Sequence, residues 1–126
     1  MLNYFKKQFR SFGYAFSGLG VMLRDYNAFI HVPAAIFVVI ISFAFQISSL
    51  EWIAILSAIS LVWIAEILNT ALEKVVDLVS PEKNNLAGQI KDLSAGAVLI
   101  ATFYAILVGI IVFGERMIEF LRSMIG

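Results

Sequence analysis

Leu93-Ser94-Ala95-Gly96-Ala97-Val98-Leu99-Ile100-Ala101-Thr102-Phe103-Tyr104-Ala105-Ile106-Leu107-Val108-Gly109-Ile110-Ile111-Val112-Phe113 holds no charged residue and is apolar on every side of a helix. About 20 such residues cross the roughly 30 Å hydrocarbon core of a bilayer. Two more apolar stretches precede it. Ala28 to Ile47 is broken only by His31, Pro33, Ser42 and Gln46, and Leu50 to Leu68 carries Glu51 and Glu66 as its charges. Composition points the same way: 61% of the chain is hydrophobic and 14% charged, whereas soluble domains carry about 25% charged residues. A globule this small could not hide that much apolar surface. We therefore expect a single domain over residues 1–126, an all-α membrane protein with three transmembrane helices at about 28–47, 50–79 and 89–113.

The flanks read differently. Leu2, Phe5, Phe9, Phe12, Phe16 and Leu19 recur every three or four residues, the spacing of one helix face, with Lys6, Lys7 and Arg10 among them. A basic helix over about 2–24 with an aromatic stripe fits an anchor lying on a membrane surface, and equally a helix packed on its own bundle. Basic residues cluster in the N-terminal stretch and in the 78–92 loop, while the link Gln46–Glu51 has none. The positive-inside rule then puts the N-terminus and that loop in the cytoplasm. In the loop, Ser80-Pro81 ends the second helix, because the residue before proline avoids the α region. The tail 114–126 alternates Glu115, Arg116, Glu119 and Arg122 and reads as a short amphipathic helix at the outer surface.

The chemistry sits in Glu66-Ile67-Leu68-Asn69-Thr70-Ala71-Leu72-Glu73-Lys74-Val75-Val76-Asp77. At 3.6 residues per turn, Glu66, Asn69, Thr70, Glu73 and Asp77 share a stripe about 100° wide. Ile67, Leu68, Leu72, Val75 and Val76 take the other faces. Glu66 lies roughly 24 Å along its helix, near the inner edge of the hydrocarbon. A carboxylate at the centre of a span costs roughly 2.5–3.5 kcal/mol, and such residues mark functional sites; the competing reading is polar glue between helices. Two carboxylates in this setting can divide the work, one holding a hard cation such as Mg²⁺ and one acting as a base. Lys91-Asp92 opens the third helix, and Lys91 can meet a phosphate as a point charge. Gly88, Ala95, Gly96 and Ala97 are small enough for close approach of a backbone or a ligand. His31 reads as an interfacial hydrogen-bonding residue.

Several classes are excluded. The chain has no cysteine, so disulfides, thiolate metal sites and a thiol nucleophile are absent. Its formal net charge is zero, which suggests no nucleic-acid partner. Neither a G-x-x-x-x-G-K-[ST] phosphate loop nor a G-x-G-x-x-G turn occurs.

The motif beginning at Glu66, followed by Lys91-Asp92 and Ser94-Ala95-Gly96-Ala97-Val98-Leu99, resembles the prokaryotic diacylglycerol kinase family, which includes undecaprenol kinases. The resemblance runs from about Phe5 to Phe113. It implies a homotrimer of three-span subunits in the bacterial cytoplasmic (inner) membrane. Each active site would lie at a subunit interface on the cytoplasmic side, taking ATP from the cytosol and a lipid alcohol from the bilayer. On this resemblance Glu66 is the catalytic base and Asn69 helps position it. Glu73 and Asp25 hold Mg²⁺, Asp25 standing where the family usually has Glu. Lys7, Tyr14, Glu82, Lys83, Asn84, Lys91 and Asp92 contact ATP, together with the metal ligands Asp25 and Glu73. The lipid meets Glu66 and Ala95. An arginine usual near Phe29 is missing. Asn27 to His31 and Val79-Ser80-Pro81-Glu82 look more like the undecaprenol branch than the diacylglycerol branch. The rival readings are a small proton-coupled transporter built on the intramembrane Glu66 and a non-enzymatic helical assembly factor.

Overall fold

The computed structural model describes residues 2–24, 28–82 and 84–126. They form four helices: α1 Leu2–Met22, α2 Ala28–Ala44, α3 Ser49–Val79 and α4 Asn85–Ile125, with no strand among the described residues. Of these, α3 and α4 are long and apolar enough to cross a membrane, and α2 is a shorter apolar helix of 17 residues. At about 1.5 Å per residue α2 is about 25 Å long.

The link between α2 and α3 is built from two caps. Ile47 N–H donates to the Ser42 carbonyl at 3.3 Å and Gln46 N–H to that of Phe43 at 3.2 Å. Gln46 has φ of 48°, so this is a Schellman stop with glutamine where glycine usually stands. Immediately after it, Ser48 caps α3. Its hydroxyl accepts from Glu51 N–H, and the Glu51 carboxylate accepts from Ser48 N–H at 2.7 Å. That reciprocal pair is a capping box.

At the other end α3 stops at Val79, where the sequence predicts it. Ser80 N–H still reaches the Val76 carbonyl at 2.8 Å, and Pro81 follows. Asn84 then caps α4 by accepting from Leu86 N–H at 2.8 Å, so α4 starts four residues before the expected boundary at 89. Nor does it end at Phe113. The stretch 114–126, expected as a separate tail, continues α4 without a break through Gly114, giving a rod of 41 residues, about 60 Å long.

The pair α3–α4 is the body of the fold. Asp77 meets Lys91 at one end and Glu51 meets Arg116 at the other, so the two helices run antiparallel. Arg116 donates to both oxygens of Glu51, at 2.8 and 3.0 Å, and also to the Val112 carbonyl at 2.5 Å. This fork ties the end of α3 that carries the capping box to the extension of α4. Near it lies the apolar core of Ile47, Ile55, Ala58, Val108 and Val112, against which Phe45 and Trp52 pack. Elsewhere large apolar residues point outward: Leu68, Leu93, Ile100 and Ile110 are all exposed. The aromatic stripe of α1 is also uncovered, with Phe9, Phe12 and Phe16 exposed.

Ile55 is 2% exposed at the centre of that core. Ile55→Ala is expected to destabilise the protein by about 2–4 kcal/mol, the transfer and cavity cost of a buried isoleucine. Denaturant titration in detergent micelles measures it. A loss below about 1 kcal/mol would mean that α3 and α4 close over the gap.

Candidate active site

Away from the apolar core, the buried residues of α3 include three polar ones between Val62 and Val76. Glu66 and Asn69 are each 5% exposed, and Thr70 is buried beside them. The helical spacing that places these residues on one face also turns that face toward neighbouring helices. A buried carboxylate or amide has to find hydrogen-bonding partners, because desolvation without them is costly.

Glu66 finds one on α2. His31 Nε2 lies 2.7 Å from Glu66 Oε1. Asn69 finds partners on α4 and on its own helix. Ser94 Oγ is 2.6 Å from Asn69 Oδ1, and Asn69 Nδ2 is 3.2 Å from Glu73 Oε1. Ser94 Oγ also lies 2.9 Å from the Lys91 carbonyl, but a hydroxyl has only one hydrogen. Glu73 decides where it goes. An ionised carboxylate only accepts, so Asn69 must turn its NH₂ to Glu73 and its oxygen to Ser94. The Ser94 hydroxyl therefore donates to Asn69, and α3 and α4 are locked in register at this level.

Further toward the loop, Lys91 Nζ meets Asp77 Oδ1 at 2.6 Å. This pair edges an open cleft of about 460 Å³, also lined by Ser80, Glu82, Asn84 and Gly88. A second, apolar groove of about 510 Å³ runs along α3 and α4 past Leu68, Leu72, Leu93 and Ala97, and reaches Asn69 and Ser94. The polar chain Ser94–Asn69–Glu73 thus stands between an apolar groove and a polar cleft.

The structure brings Glu82, Asn84 and Lys91 to one cleft, and Asn69 and Glu73 into one hydrogen-bonded unit. It does not gather every expected residue. Lys7 and Tyr14 are exposed on α1, where Arg10 donates to the Tyr14 hydroxyl at 3.4 Å, and neither lines the cleft. Asp92 and Ala95 are exposed on α4 and line neither the cleft nor the groove. Asp25 and Lys83 lie outside the described residues. Two participants escaped the sequence reading. His31 gave the signal of an imidazole early in a span, without showing its partner. Ser94 stands three residues after Lys91, and the small-residue run around it hid its polar role.

Among the described residues, no three acidic or imidazole groups cluster to form a metal cage. Mg²⁺ does not require one, since it keeps several waters and takes one or two carboxylates plus substrate phosphates. Glu73, oriented by the Asn69 amide, fits that role, as a carboxylate held by an outer hydrogen bond.

Residues 13–113 match the profile of the family described as prokaryotic diacylglycerol kinase. The chain belongs to that family. It is 34% identical over 112 residues to the undecaprenol kinase of Bacillus subtilis (strain 168), covering 88% of this chain and 91% of that one. It is 33% identical over 104 residues to the diacylglycerol kinase of Escherichia coli (strain K12), covering 82% and 85%. It is also 39% identical over 102 residues to a diacylglycerol kinase of Synechocystis sp., covering 79% of this chain and 58% of that one. Within the stretch Glu66 to Asp77 of this prokaryotic diacylglycerol kinase family member, Glu66, Asn69 and Thr70 are the buried polar residues of α3 described above, with Glu73 half-buried and Asp77 exposed beyond them. Membership of this family, together with two helices long and apolar enough to cross a bilayer, makes the chain a membrane protein.

Ser94→Ala leaves the buried Asn69 oxygen without its donor. We expect a loss of roughly 1–3 kcal/mol, the cost of an unsatisfied buried acceptor, and a smaller loss for Ser94→Thr, which keeps the hydroxyl. Denaturation midpoints in detergent read both. Equal midpoints for wild type and Ser94→Ala would show that this bond does not hold the helix pair.

Proposed function

We propose that this protein is an integral membrane lipid kinase that transfers the γ-phosphate of ATP to the hydroxyl of a membrane lipid alcohol, with Mg²⁺. The observation that carries the reading is the buried polar face of α3. In a member of this family, Glu66, Asn69 and Glu73 share one face of α3, with a groove suited to acyl or prenyl chains reaching Asn69 and, further along the helix, a cleft suited to a nucleotide beginning at Val76 and Asp77.

Each residue then has a task. Glu66 accepts the proton of the lipid hydroxyl as that oxygen bonds to the γ-phosphorus and the bond from phosphorus to the ADP oxygen breaks. Asn69 keeps Glu73 turned toward the phosphates and ties both to α4 through Ser94. Glu73 and Asp25 hold Mg²⁺, which when bound neutralises phosphate charge. Lys91 leaves Asp77 to meet a phosphate, Glu82 and Asn84 line the nucleotide's cleft, and Lys83 and Asp92 are assigned to the nucleotide on the family resemblance. Positioning and charge stabilisation supply most of the acceleration in phosphoryl transfer. Hydrogen bonds in a site closed to water are also stronger than in water.

The wider architecture belongs to the same proposal. Three spans, α2 being the shortest, carry the protein through the bacterial inner membrane, with the 80–84 loop and the N-terminus in the cytoplasm. The exposed phenylalanines of α1 suit a helix lying in the interface. A homotrimer, with Lys7 and Tyr14 reaching a neighbour's cleft and Ala95 beside the lipid, accounts for expected site residues that line no cleft within one chain. Undecaprenol is the favoured acceptor, on the strength of His31 and the Val79–Glu82 stretch. The Bacillus and Escherichia relatives, at 34% and 33% identity, do not separate the two lipids. The transporter reading finds no support among these relatives.

Labelled phosphate transfer from ATP in mixed micelles, with undecaprenol and diacylglycerol offered side by side, tests the proposal. Wild type is expected to phosphorylate undecaprenol faster. Glu66→Gln is expected to lose roughly 10²–10⁴-fold in rate, the usual worth of a general base, with unchanged helicity and elution volume. Transfer at the wild-type rate by Glu66→Gln would remove that residue from the base role, and no transfer to any lipid by wild type would end the kinase reading.

A further inference from the structure

His31 lies in the first turn of α2, and its contact with Glu66 joins two helices that otherwise pack lightly on each other. The bond is short, 2.7 Å from Nε2 to Oε1, and well hidden: the two side chains are 21% and 6% exposed. On its other side His31 lines an apolar groove of about 300 Å³ with Ala35, Val38, Val62, Ala105 and Gly109, and it is the one titratable residue of that lining. With the Glu66 side chain only 6% exposed, the hydrogen bond acts in a low dielectric, where it is strong and directional.

Two features of imidazole matter. An ionised carboxylate can only accept, so Nε2 must carry a hydrogen here. A neutral ring then leaves Nδ1 as an acceptor, and the tautomer is fixed by the partner. In return, the N–H fixes the rotation of the carboxylate about its terminal bond, a soft torsion with broad, roughly two-fold preferences. A base oxygen must lie within about 2.6–3.2 Å of the oxygen whose proton it takes, so this rotation decides whether Glu66 faces the substrate hydroxyl.

We propose that His31 is a positioning residue for the Glu66 carboxylate: its Nε2–H holds the base in the rotamer from which it accepts the lipid hydroxyl proton. The inference rests on the kinase reading above and adds to it a residue whose role there was only to hint at the lipid. His31 touches Glu66 and not the reacting atoms. Its removal therefore acts on turnover through Glu66 and leaves the lipid's binding surface intact.

The test uses the full chain in mixed micelles with ATP and the better lipid acceptor. His31→Ala should lower kcat on the order of 10- to 100-fold, the range for a misplaced catalytic group, with the lipid KM changed less than about threefold. His31→Gln, whose side-chain amide can offer an N–H at the position of Nε2, should recover most of that loss. Polar glue between helices would instead lower stability and leave kcat alone. Because His31 is the chain's single histidine, ¹⁵N NMR of its imidazole reads the contact without any turnover. An Nε2-protonated ring is expected whose resonances move on Glu66→Gln. Wild-type kcat in His31→Ala, no recovery in His31→Gln, or resonances indifferent to Glu66→Gln would each overturn the proposal. A wild type that transfers no phosphate overturns the kinase reading and this role with it, while the NMR result still reports separately on the pair.

Discussion

A helix that is apolar around most of its circumference has to hide its carboxylates and amides along the remaining strip, and α3 does so by giving them partners from other helices. Glu66 takes His31 from α2, and Asn69 takes Ser94 from α4. These contacts cost nothing in propensity, since the strip arises from spacing alone. Their effect is to fix which face of α3 looks inward and at what height α2 and α4 stand against it. Non-directional apolar contacts would tolerate a slide of α4 along α3. A hydroxyl 2.6 Å from an amide oxygen does not.

The two ends of the helix pair are held by different physics. Near Glu51 the contacts are apolar, capped by a forked ion pair from Arg116 and a capping box at Ser48. There the polar groups close the end of an apolar core. Near Glu66 and Asn69 polar groups are buried among the helices, a groove opens beside Asn69, and a cleft lies further toward the loop. Rigidity at one end thus supports a site at the other. Catalytic groups need such a scaffold, since a displacement of about 1 Å can cost a hundredfold in rate.

Much of this was legible in the sequence. The stop of α3 at Val79 followed from Ser80-Pro81, and the buried strip followed from the spacing of Glu66, Asn69 and Thr70. What stayed hidden was decided by tertiary partners. Gln46 adopts a left-handed backbone at the end of α2, which nothing in glutamine's preferences foretells. Gly114 looked like the end of a span, yet a single glycine costs a helix only about 1 kcal/mol. Arg116 beyond it is clasped by Glu51, so α4 runs on. His31 and Ser94 are ordinary polar residues by sequence; their roles come from standing opposite Glu66 and Asn69 on separate helices.

The contact of Lys91 with Asp77 shows how the cleft and the buried site are matched. The pair is exposed, with side chains 39% and 67% accessible, and exposed ion pairs hold weakly because solvent screens them. A phosphate group bearing more than one charge competes well for such a lysine. Moving Lys91 from Asp77 to a phosphate would need only side-chain rotation at the start of α4. The backbone there is pinned: Asn84 caps the helix, and Ser94, one turn on from Lys91, is bonded to Asn69. The lysine is thus the loose member of a rigid frame. Its helix is the one that holds Asn69, and Asn69 holds Glu73, so in the proposed reaction the phosphate contact, the metal ligand and the amide between them share one register.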